Sequence, residues 1–200
     1  MRRWLLVVFA CVLLAACFSG GRRGGDTAMV IYDLGPLAEA APSQSQSMAL
    51  EVRAPLWFDS MGINYRLAYA EPARLREYAR ARWAGPPAQL IQQRLQRELA
   101  LVPAGQSRTL CLLRLEIDEF SQVFATASLS HAVLQGRVQW LDRSRNRLAE
   151  RRINIERPAA SGDSSGGVAA LTASVAELSR QIRVWESEAG LVGLLRSCRP

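Results

Sequence analysis

The chain has 200 residues, of which 49% are hydrophobic and 22% are charged. This composition is close to the globular average, so it fits one folded domain and excludes both a largely disordered chain and a large multidomain enzyme. The basic residues are all Arg, and they exceed the acidic ones by 25 to 18, a net charge of +7. Because these arginines alternate with Asp and Glu instead of forming a basic patch interleaved with aromatics, we expect no nucleic-acid binding.

Residues 1–16 predict a secretory signal peptide. Arg2 and Arg3 precede an unbroken apolar run, 4–14, about half as long as a membrane-spanning helix requires. The sequence Leu-Ala-Ala-Cys at 14–17 resembles the bacterial lipobox, in which the cysteine sulfur receives a diacylglycerol, the peptide is cut before it, and the new amino group is acylated. An ordinary signal peptide followed by a chance cysteine is the alternative. We therefore expect Cys17 to be lipidated and to begin the mature chain.

A Gly-rich stretch, 17–28, follows as a tether and leads to a domain at 29–200. About ten tether residues reach at most ~35 Å. Since stable anchoring already takes two acyl chains, three would hold the mature protein at a bilayer. In Gram-negative sorting, Asp directly after the lipidated cysteine favours the inner membrane, whereas here Phe18 and Ser19 follow. We expect the outer membrane, periplasmic face.

Two cysteines remain for the mature domain, because Cys11 leaves with the signal peptide and Cys17 carries lipid. In an oxidising compartment, Cys111 and Cys198 are expected to form a disulfide, which would stabilise the fold by roughly 4 kcal/mol through closure of a long loop. The alternative is a buried Cys111 and a free thiol at Cys198. No metal site is expected, since neither a second cysteine pair nor a nearby histidine is present.

Local patterns in the first half of the domain predict short strands, a linker and two helices. The predicted strands are 30–34, 48–53 and 64–68; the linker is 36–47; and the helices are 72–83 and 88–99. The prediction of the first helix is based on Pro72, which is favourable in a first turn, and on an amphipathic spacing of three and four residues. The residues with this spacing are Leu75, Tyr78, Ala79 and Arg82.

In the second half, Cys111, Leu113, Leu115 and Ile117 alternate with mostly polar residues, which predicts a strand with a bulge or bend near Glu119. Residues 132, 134, 136, 138 and 140 are expected to lie on one face of a second long strand. The loop 142–146 then leads into an antiparallel strand at 148–156. Asp163 or Ser164 is expected to cap a long helix with an apolar stripe ending at Trp185. The prediction is a single α/β (or α+β) domain, a mixed β-sheet with about three helices on one face. A coiled-coil partner for the last helix is the alternative.

Few groups of side chains in the sequence could act together in catalysis. We therefore expect that the protein is not an enzyme and that it binds neither a cofactor nor a metal. His131 is the only histidine in the sequence. A Ser-His-Asp triad that includes it is not supported by any nucleophile-elbow sequence, so we favour the interpretation that His131 is a polar residue on a sheet face. Glu116, Asp118 and Glu119 could mimic paired catalytic carboxylates, but a solvated or ion-paired strand face is favoured. P-loop and dinucleotide-binding motifs are absent from the sequence.

Two regions are candidate interfaces. Arg145 and Arg147 lie in the hairpin 143–152, the one local basic excess, which suits lipid headgroups, an acidic partner or simply a solvated tip. The second region is dense in aromatics and arginines and suits a core edge or a protein interface. Its candidate residues are Tyr65, Arg66, Tyr78, Arg82 and Trp83.

Several ordered motifs resemble the ABC-type transport auxiliary lipoproteins, the family that includes the outer-membrane lipoprotein of the paraquat-inducible system. The resemblance runs from Tyr32 to Trp185 and is densest at Ile-Asn-Tyr-Arg (63–66), at Leu75 and Tyr78, and at Arg-Trp-Ala-Gly-Pro-Pro (82–87) before an amphipathic helix. Arg-Leu-Glu-Ile-Asp-Glu-Phe (114–120) is similar to the family's central strand.

The resemblance implies a non-enzymatic periplasmic domain that docks onto the MCE-domain, substrate-binding protein of an ABC transporter, with the permease and ATPase as indirect partners. Phospholipid or another hydrophobic molecule would be the cargo, and homo-oligomers are possible in this family. Only Cys17 carries over as a defined site. An envelope-assembly or cell-wall accessory lipoprotein without a transport partner is the rival hypothesis.

Overall fold

The computed structural model describes residues 28–36, 48–105 and 109–198. The predicted signal peptide, Cys17 and most of the predicted tether and linker lie outside these residues. Within them, no helix is both long and apolar enough to cross a membrane.

The described residues form one mixed sheet of eight strands. The strands are β1 (Val30–Tyr32), β2 (Met48–Arg53), β3 (Gly62–Leu67), β4 (Glu71–Trp83), β5 (Val102–Pro103), β6 (Cys111–Phe124), β7 (Ser130–Leu141) and β8 (Arg147–Pro158). Strand β6 is the centre: β7 runs antiparallel along one side of it, and β8 pairs with β7 beyond. On its other side, the first half of β6 pairs in parallel with β2 and its last residues pair in parallel with β3.

The helices are α1 (Pro87–Leu99), α2 (Ser164–Ser187) and the short α3 (Ala189–Leu194), with 3₁₀ turns at Leu56–Asp59 and Leu195–Cys198. The side chain of Asp163 caps α2 by accepting a hydrogen bond from the Gly166 amide. The predicted stripe of α2 is buried from Val168 to Trp185. The predicted α/β fold, a mixed sheet carrying three helices in a single domain, is therefore confirmed.

The predicted helix at 72–83 is wrong, and with it the predicted pair of helices. This segment is strand β4, which pairs antiparallel with β3 and, through Ala81–Trp83, in parallel with β1. Its last residues follow a two-residue period, since Ala81 and Trp83 are buried while Arg80 and Arg82 are exposed. Arg, Ala and Glu are good helix formers, but intrinsic helix propensity is a small energy per residue, and backbone pairing on two sides outweighs it. The third helix is instead α3, which has no counterpart in the prediction.

The helices cover one face of the sheet. Cys111, Leu113, Leu115 and Ile117 of β6 pack in one core with Ile91 of α1 and the stripe of α2. The register of β6 against β7 shifts between Ile117 and Glu119, which confirms the predicted bulge. The uncovered face carries a small apolar cluster around Leu112 and Leu141 and many charged side chains.

Candidate functional site

An aromatic cluster forms where the β3–β4 hairpin meets the end of β6. The rings of Tyr65 and Tyr78 lie 4.7 Å apart between centroids, and Phe124 meets Tyr65 edge-on at 5.9 Å. Tyr65 pairs in register with Gln122, which places the cluster on the helix-covered side. Both tyrosines are half-buried, so they form the edge of the core and remain partly accessible.

The cluster is held by Gln122, a fully buried amide that sequence reasoning missed. The hydroxyl of Tyr78 donates to Gln122 Oε1 at 2.8 Å, and Gln122 Nε2 donates to Ser130 Oγ at 2.7 Å. Burial, with Tyr65 and Asp163 nearby, raises the pKa of Tyr78 far above its usual value, so the phenol remains a proton donor. The sequence signal that could have identified Gln122 is its position midway between Phe120 and Phe124, on the same face of the strand beyond the predicted bulge.

The uncovered face carries the charged candidates, and most are ion-paired. Arg66 lies 3.0 Å from Glu119, and Arg137 pairs with Glu116 across β6 and β7. Two of the three clustered acids are thus paired with arginines, which matches the interpretation of an ion-paired face. These carboxylates do not form a free acid pair of the kind that glycoside hydrolysis needs.

The hairpin arginines also have acidic neighbours. Arg145, at the positive φ of 67°, has its Nη1 3.6 Å from Glu51, and Arg147 donates to Glu150 at 3.0 Å. A hydrogen bond from Gln139, together with Arg147, lowers the pKa of Glu150. Both arginine side chains remain more than half exposed, so they are available to a partner.

Trp83 and Arg82 separate onto opposite sides of β4. Trp83 is 1% exposed and its ring stacks on Phe120, so it belongs to the core. The expectation that Trp83 contributes to a protein interface is therefore corrected. Its neighbour Arg82 is exposed. The alternation of a strand, rather than the stripe of a helix, causes this separation.

His131 lacks the neighbours of a catalytic triad. Its Nε2 lies 3.8 Å from Glu156 on β8, whereas the adjacent hydroxyl of Ser130 is buried and accepts its hydrogen bond from Gln122. Among the described residues, no group of three His, Cys, Asp or Glu side chains could hold a metal ion. In this part of the chain, the imidazole of His131 and the hydroxyl of Ser130 therefore have different partners.

Cys111, at the start of β6, and Cys198, at the end of the last 3₁₀ turn, are bonded in the structure, with Cα atoms 5.2 Å apart. Both lie in the core, so the carboxyl-terminal segment is tied to the central strand.

The described residues thus form an α/β domain with exposed arginines and partly accessible tyrosines. Residues 32–183 match the sequence model of the ABC-type transport auxiliary lipoprotein component family, and the chain belongs to that family. It is accordingly a lipoprotein associated with ABC-type transport. No curated protein matches the chain in sequence.

Solved structures share the fold. A Xanthomonas campestris protein assigned to the family DUF330 superposes with a TM-score of 0.61 at 22% identity, covering 80% of this chain and 91% of its own. An uncharacterized protein superposes with a TM-score of 0.63 at 17% identity, covering 80% of this chain and 99% of its own. At these identities the likeness concerns the fold alone.

Proposed function

We propose that the mature protein is a periplasmic lipoprotein, anchored in the outer membrane through Cys17, that serves as a non-catalytic auxiliary component of an MCE/ABC-type intermembrane lipid transport system. The observation that carries the proposal is the family match over 32–183, which takes in all of the sheet except the first two residues of β1, and nearly all of α2. The lipobox-like sequence at 14–17 supports the anchor. Since the sequence has no nucleotide-binding motif, the energy for transport comes from a partner ATPase.

The anchor gives the first prediction. Cys17→Ala is expected to leave a folded domain, because the described sheet and core are built from residues 30–198, but to remove the acyl chains that hold the protein at the bilayer. Membrane fractionation should find wild type in the outer membrane and the variant among soluble periplasmic proteins. Mass spectrometry of the wild-type amino terminus checks the lipid directly, and an outer-membrane location for the variant would contradict the anchor.

Docking to the MCE-domain subunit is the second part of the proposal. The exposed guanidinium groups of Arg145 and Arg147 and the half-buried rings of Tyr65 and Tyr78 support contact with a protein partner, since Arg and Tyr are enriched in interfaces. The direct test is crosslinking in intact envelopes, followed by capture of the tagged, lipidated protein. Recovery of the substrate-binding subunit is expected; recovery of no transport subunit would favour the envelope-assembly alternative.

The hairpin contribution can be tested within the same experiment. Arg145→Asn removes a charge at a position whose positive φ Asn tolerates, so backbone strain does not confuse the result. We expect less crosslinked partner for this variant. Arg196→Asn, at an exposed arginine of the carboxyl-terminal turn, is the matched control and should leave capture unchanged.

A further inference from the structure

An exposed apolar surface lies at one corner of the sheet, and the sequence analysis did not single it out. We call it the amino-terminal patch; its residues are Met29, Val30, Ile31, Leu56, Trp57 and Met61. Leu56 is 85% exposed and Trp57 39%, although large apolar side chains usually avoid water. Exposed apolar side chains grouped at one edge of a sheet are of the kind that marks contact with a partner or a membrane.

Backbone hydrogen bonds bring the two halves of the patch together. The Trp83 amide donates to the Met61 carbonyl at 2.7 Å, and the Ala84 amide donates to the Tyr32 carbonyl, also at 2.7 Å. Strand β1 and Met61 therefore flank the same end of β4. Since neighbouring strands lie about 4.8 Å apart, the backbones of β1 and Met61 are about 10 Å apart.

The 3₁₀ turn Leu56–Asp59 fixes the most exposed part of the patch. Phe58 is buried and its ring contacts that of Trp57 at 4.3 Å between centroids, so Phe58 anchors the turn in the core. The turn thereby presents Leu56 and Trp57 outward on a supported backbone. Leu56 is almost fully exposed, and more than a third of Trp57 is exposed although its ring packs on Phe58.

Chain length argues for the occupant. Only eleven residues lie between Cys17 and Met29, where the patch begins, so the two residues are at most about 43 Å apart. With the lipid of Cys17 in a bilayer, the patch is the part of the domain to which the anchor leads. Tethering raises the effective concentration of bilayer at the patch, so even a weak intrinsic affinity is sufficient for contact.

We infer that the amino-terminal patch lies on the phospholipid bilayer in which Cys17 is anchored and orients the domain there. Trp57, Leu56 and Met61 are of the kind that enters the interfacial region of a membrane. Arg82, paired in register with Ile31 and Gly62, reaches the headgroups with its long side chain. Asp33 and Asp59 balance that charge nearby, so the apolar side chains supply the contact. The inference rests on the proposed anchor.

The experiment uses the intrinsic fluorescence of the lipidated mature protein in vesicles of phosphatidylethanolamine and phosphatidylglycerol, with and without bromine on the acyl chains. Trp57 is the one exposed tryptophan in the described part of the chain, whereas Trp83, Trp140 and Trp185 are buried. We expect bromine to quench the wild-type emission and the quenching to be lost in Trp57→Phe.

A matched pair of variants tests the patch itself. Leu56→Glu should lose most of the quenching, because a carboxylate resists leaving water. Leu129→Glu, at another exposed leucine in the turn between β6 and β7, should retain it. Equal quenching in the two variants would overturn the inference.

The outcomes also separate the inference from the proposed function. Protein that carries lipid and sediments with vesicles, but whose tryptophan emission is unquenched, overturns the membrane contact and leaves the anchor standing. Protein with an unmodified Cys17 that stays in the supernatant overturns both. If Leu56→Glu abolishes crosslinking to a transport subunit while quenching persists, the patch is a protein interface and the inference fails.

Discussion

At the scale of single residues, Gln122 joins more of the fold than any residue that its local sequence would single out. Its amide accepts from Tyr78 of β4 and donates to Ser130 of β7, while its Oε1 lies against α2. The aromatic density around Tyr65 and Tyr78 was apparent in the sequence. Their buried partner was not, because the network draws on separate elements that only the folded chain brings together.

Gly136 of β7 shows how a missing side chain permits the bulge. A Cβ at this position would lie 2.0 Å from the carbonyl oxygen of Glu116, an atom of the β6 backbone that cannot rotate away. The close approach of β6 and β7 beside the shifted register therefore requires Gly.

Gly136→Ala is expected to destabilise the domain by about 3 kcal/mol, the upper range for overpacking a rigid site. For a chain of this size this corresponds to a fall in Tm of roughly 6–12 °C. Thermal unfolding followed by circular dichroism measures it. Gly190→Ala is the matched control, because no atom lies within 4 Å of its Cβ and its helix favours Ala; a similar loss in both variants would refute the steric explanation.

At the scale of elements, β4 shows where local pattern misleads. Leu75, Tyr78 and Arg82 fit the spacing of a helix, yet Arg-Ala-Arg-Trp at 80–83 equally fits a strand that is buried on alternate residues. Pairing with β3 and β1 satisfies the backbone hydrogen bonds of the segment from two sides and buries Trp83. A helix lying on the sheet would not make these interstrand hydrogen bonds. The choice therefore lies with partners that are distant in the sequence.

Helix α2 is the opposite case, because its local signals agree with one another. Asp163 caps it, its apolar stripe recurs every three or four residues, and it packs on β7 and β8 as that stripe requires. Its polar side is also tied to the sheet: Arg157 of β8 donates to Glu177 at 2.9 Å.

Glu177 makes this contact depend on pH. Hydrogen bonds from Arg180 and Gln181, with Arg157 close by, hold its pKa at about 2 in the folded protein, below its ordinary 4.5. A depressed folded pKa adds stability above pH 4.5 that is lost as the pH falls towards 2. Glu177→Gln should therefore lower the free energy of unfolding by about 1 kcal/mol at pH 7, the scale of a partly exposed ion pair. The difference from wild type should shrink towards zero near pH 2.

Urea denaturation at a series of pH values measures this difference. The double variant Glu177→Gln with Arg157→Gln gives the coupling between helix and strand. If Arg157→Gln costs as much stability in the Glu177→Gln background as in wild type, the two side chains are not coupled and the explanation is wrong.

At the scale of the whole molecule, the two ends of the described domain have different attachments. The amino-terminal end is expected to be held at a bilayer by Cys17, whereas the carboxyl-terminal end is bonded to the central strand through Cys111 and Cys198, which are 87 residues apart. A crosslink over so long a loop reduces the entropy of the unfolded chain.

Reduction of this disulfide should cost about 4 kcal/mol of unfolding free energy on the chain-entropy estimate. Denaturation with and without dithiothreitol measures the loss, and Cys198→Ser should be as unstable as the reduced wild type and indifferent to dithiothreitol. Free thiols in protein taken directly from the periplasm would show that the bond does not form there.

The sequence by itself determined what short-range patterns encode: the lipobox-like start, the alternating strands of the second half, the bulge near Glu119 and the capped helix α2. Each depends on residues within about ten positions of one another, so hydrophobic periodicity and capping are sufficient. Only the tertiary structure decided that 71–83 is a strand, that Trp83 is core, that Gln122 links three elements and that an apolar patch faces outward beside β1. Those features depend on which distant segments pair and cover one another, and local sequence does not contain that information.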